Sequence, residues 1–260
     1  MHPMLNTAIT AARQAGNIIA RSADRIETLT IKNKGQNDFV SEIDQQAEQA
    51  IIKVIRKAYP SHGFLAEESG NSAGDDYVWI IDPLDGTTNF LHGFPQFAVS
   101  IALKYKNRLE QAVIYDPIRQ ELFTASRGVN AQLNGRRIRV TKAKSLANTL
   151  IGTGFPYSNM EHLSEYMDIL KSIIPETVGV RRAGAASLDL AYVAAGRLDG
   201  FWEYGLKPWD LAAGTLLIQE AGGIVSDFDG GTDFFESGNV VAGNAKVLKS
   251  LLQTIKRHQS

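Results

Sequence analysis

Cysteine is absent from the chain, so disulfides, thiolate metal sites and a cysteine nucleophile are excluded. Also absent is any apolar run approaching the ~20 residues that cross a bilayer. The opening MHPMLNTAITAARQAG has no basic segment leading into a continuous apolar one, so it does not read as a secretory signal. Lys and Arg number 27 against 28 Asp and Glu, a net charge of -1. No overall basic field therefore draws the chain to nucleic acid, and direct sequence-specific DNA binding is not expected. Internal repeats and low-complexity tracts are missing too. What is there is ordinary for a globular protein: 260 residues, 44% hydrophobic and 21% charged. That length suits one compact unit, read here as two packed lobes of approximately residues 1–145 and 146–260 in a reducing, cytoplasmic setting.

Apolar spacing predicts an opening helix with Leu5, Ala8, Ile9, Ala12, Ala15 and Ile19 on one face. A second helix begins near Ser41, where Ser41 and Asp44 have capping-box spacing; Ala47, Ile51, Val54, Ile55 and Ala58 form its apolar face and Pro60 ends it. GFLA, YVWII, QFAVSIALKY, LEQAVIYDP and ELFTASRG then read as strands of an antiparallel sheet, and Asn134-Gly135 is a strong hairpin signal. In the second half, ASLDLAYVAAGRLDGFWE reads as a helix ended by Gly196 and then a strand. PWDLAAGTLLIQEAGGIVSDF reads as a helix stopped by Gly222-Gly223 and then a strand, and NAKVLKSLLQTIKRH as a terminal helix. Helices and strands are thus expected in layers.

The chemistry gathers at WIIDPLDGTTNF, where an apolar strand runs into Asp82 and Asp85. Pro83 lacks a ladder donor and is expected to end the strand. Gly86 permits a sharp turn, and Thr87 and Thr88 suit the cap of a following helical turn whose free amides would attract an anion. Two carboxylates beside a phosphate cradle fit magnesium. Further acids must come from elsewhere, and Asp44, Glu67, Glu68 and Asp210 each stand at the end of an element. Taken singly, each has a plain alternative. Asp44 and Asp210 can be helix caps, Glu67-Glu68 a solvated pair, and the Asp82–Asn89 stretch a tight turn with Asx bonding. His2, His62 and His92 read as surface or structural, and Met and aromatic residues as core.

At these residues the sequence resembles the inositol monophosphatase family of magnesium-dependent, lithium-sensitive phosphatases. WIIDPLDGTTNFLH and WDLAAGTLLIQEAGG resemble the family's two signatures, and DFVSEIDQQAE and FLAEESG its upstream blocks, in the right order. The resemblance implies an α+β fold layered αβαβα, and a homodimer. It implies one magnesium on Glu67, Asp82 and the Leu84 carbonyl, and a second on Asp82, Asp85 and Asp210. Thr87 and Asp44 would pair and, with Glu67, orient the attacking water. Gly86, Thr87 and Thr88 would receive the phosphate, while Ala186, Glu203 and Arg181 match positions near the inositol. Thr88 stands where relatives acting on 3'-phosphonucleotides carry lysine and histidinol phosphatase relatives arginine, which favours inositol monophosphates, with other small polyol phosphates as secondary substrates. A family lysine upstream of Asp44 has no single counterpart, because Lys32 and Lys34 straddle it. MHPMLN, LDLAYVAAGR and EAGGIVSDF resemble a bacterial branch whose members also partner Nus factors and RNA polymerase in transcription antitermination on ribosomal RNA. Arg136, Arg137, Arg139, Lys142 and Lys144 in NGRRIRVTKAK could serve such a contact or simply form a solvated hairpin.

Overall fold

A computed structural model describes residues 2–23, 42–157 and 159–259 in full, and 31–35 and 38–41 as backbone. The first part contains helix α1 (Pro3–Ser22), the hairpin β1 (Ile31–Gly35) and β2 (Asp38–Ser41), and helix α2 (Glu42–Ala58). Next come β3 (Gly63–Ala66), β4 (Gly70–Ser72), β5 (Tyr77–Asp85), helix α3 (Thr87–Leu91), β6 (Ala98–Tyr105), β7 (Arg108–Asp116), β8 (Glu121–Ser126), β9 (Asn130–Leu133) and β10 (Arg136–Arg137). The remainder is β11 (Leu150–Thr153), α4 (Leu163–Ile173), β12 (Gly179–Arg181), α5 (Ala186–Ala194), β13 (Gly200–Glu203), α6 (Pro208–Glu220), β14 (Ile224–Ser226), α7 (Phe234–Ser237), β15 (Val240–Gly243) and α8 (Ala245–Lys256).

Strands β3 to β10 form one eight-stranded sheet, ordered β10-β9-β8-β7-β6-β5-β3-β4. Strands β11 to β15 form a five-stranded sheet, ordered β12-β11-β13-β15-β14. Three apolar cores separate five layers. Leu5, Ile19, Ile51 and Ile55 of α1 and α2 pack on Ile81, Val99 and Ile101 of the large sheet. Leu188, Leu190, Leu211 and Leu216 of α5 and α6 fill the space between the two sheets, against Ile80, Ile114, Phe201 and Val240. Tyr166, Ile169, Val247 and Leu251 of α4 and α8 cover the far face of the small sheet at Trp202 and Val241. The order is therefore αβαβα. It explains a sequence contrast: α1, α2, α4 and α8 are amphipathic, whereas α5 and α6 are apolar nearly all round because a sheet lies on each side. The two central helices approach closely at Gly214, where a Cβ would sit 2.4 Å from the Leu190 Cβ.

The opening helix buries Leu5, Ala8, Ala12, Ala15 and Ile19 as expected, and His2 caps it, its Nδ1 accepting the Met4 amide at 3.3 Å. The second helix starts at Glu42, which puts Ser41 at its cap position; the side chains of Ser41, Lys32 and Lys34 lie outside the described residues. Asn134 (φ 48°) and Gly135 (φ 76°) make the two-residue turn between β9 and β10. Three features depart from the sequence reading. The first-half sheet is not wholly antiparallel, because β3 runs parallel to β5. Strand β5 does not end before Pro83 but continues to Asp85. The hairpin β1–β2 and the segment β11–α4–β12 escape the pattern because their strands are three to five residues long, too short for alternation to register.

One buried polar pair steadies the strand that carries the aspartates. His62 stacks between Tyr59 and Tyr77, ring centres 4.7 and 4.8 Å away, and its Nδ1 accepts the Trp79 indole N–H at 3.0 Å. Burial pushes the imidazole below its ordinary value of 6.5, against the attraction of Asp75. A lowered folded pKa means the unfolded chain binds the proton better, so this contribution is present above 6.5 and lost as the pH falls. His62→Leu is expected to cost about 1–3 kcal/mol, the penalty of an unpaired buried donor. That cost should shrink as the pH falls from 8 to 5, read as the difference between variant and unaltered protein in urea melts; a pH-independent difference would contradict this account.

Candidate metal and phosphate site

The sequence Asp82-Pro83-Leu84-Asp85 sits on a β-bulge. Asp82 pairs with Ser100 and Asp85 with Ala98, so Pro83 and Leu84 together face the single residue Val99. In a regular strand, residues three apart point to opposite faces. The extra residue restores parity, and both aspartates turn to the face of β5 that meets α5 and α6. Leu84 points the other way, into the α1/α2 core.

Three neighbours complete the acidic cluster. Glu67 follows β3, whose Ala66 is in parallel register with Ile81, and the Glu67 amide bonds the Ile81 carbonyl at 3.1 Å. That register sets Glu67 beside Asp82, and the two carboxyls share a hydrogen bond. Asp210 lies in the first turn of α6, where Oδ2 accepts the Lys207 amide at 2.7 Å. Capping and site roles thus coexist in one carboxylate. Asp82, Asp85 and Asp210 offer oxygens that all lie within 4.8 Å of one another, and form the one such metal-ligand group among the described residues.

Electrostatics sharpens the reading. Asp82, almost wholly buried, is pushed well above the usual carboxylate range by desolvation and then by Glu67, Asp85 and Asp210. Asp210 rises to about 8, from burial first and the Asp85 charge second. Asp85 rises too, by burial, but the Ser187 hydroxyl and amide and the amides of Ala186 and Leu188 oppose the rise. Its Oδ2 accepts the Ser187 amide at 2.8 Å, so Asp85 sits against the start of α5. Such carboxylates hold protons unless a cation replaces them. An all-oxygen donor set suits a hard divalent ion, so the residues fit a magnesium-type centre.

Beside the cluster, Gly86 (φ 89°) opens α3, and a Cβ there would meet the Gln96 carbonyl at 2.8 Å. Gly86, not Thr87 or Thr88, is therefore the cap. The Thr87 hydroxyl is engaged elsewhere, 2.9 Å from Asp44 Oδ1 and 3.0 Å from the Leu84 carbonyl. Asn89 ties the turn to the other half of the chain, its Nδ2 within 2.8–3.1 Å of the carbonyls of Gln96, Ala183 and Gly184. Glu203 ends β13, and burial followed by Asp189 raises its carboxyl well above normal. Ala186 is buried at the head of α5.

Arg181 is exposed and donates to its own neighbour's carbonyl, on Val180. Its neighbour Arg182 is the guanidinium that offsets Asp189 and Glu203, and it lies 5.5 and 5.3 Å from the rings of Phe155 and Tyr157. Sequence reasoning missed Arg182, Ser187, Asp189 and Glu48. An aspartate inside the all-apolar run of α5 was an available signal for Asp189. Glu48 stands one turn after Asp44 on the buried face of α2, and nothing local in the sequence marks its partners. His92 is exposed and, like His2 and His62, makes no part of this cluster.

Five αβαβα layers with buried strand-end carboxylates beside a glycine-threonine turn define an α/β protein whose acidic cluster could hold a metal ion. The chain belongs to the inositol monophosphatase family, whose description it matches over residues 1–260. It is 57% identical to the Nus factor SuhB of Pseudomonas aeruginosa over 99% of this chain and 97% of that one. The crystal structure of the extragenic suppressor protein suhB from Bartonella henselae superposes with a TM-score of 0.96 at 45% identity, covering 98% of this chain and 99% of that one. An IMPase from Thermotoga maritima superposes at 0.90 with 33% identity, covering 99% and 98%.

Titration follows from the raised carboxyls. The folded, metal-free protein retains a proton on Asp210 that the unfolded chain releases near 3.8, so this stabilisation is lost as pH rises towards about 8. Metal-free protein is expected to melt at lower temperature as pH climbs from 5 to 8. Magnesium should bind more tightly over the same range, with proton release in calorimetry. A pH-independent affinity would contradict the protonated cluster.

Proposed function

We propose that the chain hydrolyses phosphate monoesters of small polyols, inositol monophosphates first among them, with magnesium as cofactor. The observation that carries this reading is the convergence of Asp82, Asp85 and Asp210, with Glu67 adjacent, next to the Thr87–Asp44 pair. Asp82 would be shared between two metal positions, one completed by Glu67 and the Leu84 carbonyl, the other by Asp85 and Asp210. Divalent ions bound there would lower the pKa of a water and neutralise the phosphoryl oxygens. The Thr87 hydroxyl, held by Asp44, and the Glu67 carboxylate orient that water for direct in-line attack, with no phosphoenzyme. The amides of Gly86 and Thr87 and the Thr88 hydroxyl receive the phosphate as its charge develops. Ala186 and Glu203 meet the polyol hydroxyls, with Arg182 better placed than Arg181 to balance the acids there. Family membership supports this reading, as does the contact of α5 and α6 with both sheets, which favours treating residues 1–260 as one working unit.

A homodimer is supported by exposed apolar side chains on and after α4: Leu163, Met167, Ile174 and Val178. Lithium inhibition and a cytoplasmic setting belong to the same reading. No helix among the described residues is long and apolar enough to cross a membrane.

Relatives named as Nus factors support a second reading, partnership with Nus factors and RNA polymerase in antitermination. The exposed Arg136, Arg137, Arg139, Lys142 and Lys144 offer a surface for it. The roles are separable: an Asp85→Asn protein should still co-purify with transcription proteins, and capture of none would remove this second role.

For the enzyme, a phosphate-release panel over inositol, sugar and nucleotide monophosphates, with magnesium and then chelator, should show metal-dependent turnover greatest on inositol monophosphates. Asp85→Asn removes a ligand charge and should lower turnover about a thousandfold, since metal stabilisation of the transition state is worth several kcal/mol; near-normal release would refute the ligand assignment. Hydrolysis in ¹⁸O-water should place the label in phosphate within a single turnover, and unlabelled phosphate would reject direct attack.

A further inference from the structure

Glu48 has no role in the chemistry above, yet it is one of the most deeply placed acids in the molecule, only 3% exposed. It lies on α2 one turn after Asp44, which is wholly buried, so both carboxylates emerge from the same helix face. Asp44 accepts the Thr87 hydroxyl. Glu48 accepts two backbone amides, Oε2 from Glu68 at 2.8 Å and Oε1 from Ser69 at 2.9 Å. Those amides belong to the turn that joins β3 to β4, since Ala66 pairs with Gly70 across residues 67–69. Glu67 is the first residue of that turn, and its carboxyl bonds Asp82.

The turn amides point away from the ladder and need an acceptor. A carboxylate that takes both at once fixes the turn's height and rotation over the sheet, because bidentate charge-assisted bonds are short and directional. With the Glu67 amide already bound to Ile81, the backbone around Glu67 is held on both sides. Only the side-chain torsions of Glu67 remain, and Asp82 engages their end.

We propose that Glu48 is a positioning residue for the Glu67 carboxylate, and that through it α2 sets the divalent-cation affinity of the site. Helix α2 then braces two walls of one pocket, Thr87 through Asp44 and Glu67 through Glu48. This inference rests on the metal-dependent phosphatase reading, and it assigns Glu48 no contact with metal or substrate. Its effect is on metal affinity, not on the recognition of the polyol.

The test is magnesium binding to the full-length protein by calorimetry, with phosphate release measured in parallel. Residues supporting a metal ligand typically change affinity by about 10- to 100-fold when removed. Glu48→Ala is expected to weaken magnesium by that factor, leave KM for the phosphate ester near its original value, and recover most of kcat at saturating magnesium. Glu48→Gln keeps one acceptor oxygen but turns an NH₂ toward the second amide, so it should fall between. Circular dichroism and melting confirm that each variant is folded, and the Gln variant serves if the Ala variant is not. The deciding measurement is a double-mutant cycle: in Glu67→Ala protein, Glu48→Ala should weaken magnesium little further. Equal losses with and without Glu67, or unchanged affinity in a folded Glu48→Ala protein, would overturn the positioning role while leaving the phosphatase reading intact. Failure of the unaltered protein to bind magnesium would instead overturn that reading, and this inference with it.

Discussion

Repulsion between buried carboxylates is the constraint from which the rest follows. Asp82, Asp85 and Asp210 would separate in water, where each keeps its charge cheaply; the fold instead holds them within 4.8 Å of one another. Three unrelated devices build this cluster and its neighbour Glu67. The bulge turns two residues of β5 to one face, a parallel neighbour brings Glu67 alongside, and the first turn of α6 delivers Asp210. The acids are not equivalent. Asp85 is served by amides and a hydroxyl at the start of α5, whereas Asp82 accepts a single amide, from Leu84. Hydrogen bonds to a charged group contribute about 1.5–3 kcal/mol each, enough to keep Asp85 the most readily ionised of the three. At Asp82 burial and three neighbouring acids act in the same direction, whereas at Asp85 hydrogen bonds oppose the effect of burial.

Around this centre the chain is tied across long sequence separations by single side chains. Asn89 reaches the carbonyls of Ala183 and Gly184, and Ser187 reaches Asp85, so the turn that bears the threonines is tied to the helix that bears Ala186. On the other side of the sheet α2 plays the matching part. A second acidic pair lies between α5 and the small sheet, where Glu203 and Asp189 share Arg182 as a counter-charge. The Asp82, Asp85 and Asp210 cluster and this second pair of acids thus rest on different layers, joined where Asp85 meets the start of α5.

Much of this was legible in the residues, because the acids stand at element ends and those ends are punctuated by Gly, Pro and short polar residues. The faces of α1 and α2, the Asn134-Gly135 hairpin and the stops at Gly196 and Gly222 all follow from local rules. Other features depend on partners far along the chain. That β3 is parallel to β5 follows from β4, which turns back on the outer edge of β3 before the chain crosses to the other side, and no local pattern encodes that placement. The choice between Arg181 and Arg182 turns on a one-residue parity at the end of a three-residue strand. Glu48 hid because a glutamate on a helix is usually solvated, and its acceptor role appears only when the turn after Glu67 is laid over it.

The bulge also explains why the aspartates are separated by two residues. A spacing of one would place both on the same face of an unbroken strand, but every peptide between them would then face its ladder partner. With two intervening residues opposite Val99, the Leu84 carbonyl is turned to the Thr87 hydroxyl. The inserted residue therefore contributes an oxygen as well as an orientation, and a shorter spacing would keep the carboxylates while removing the main-chain carbonyl that accepts the Thr87 hydroxyl.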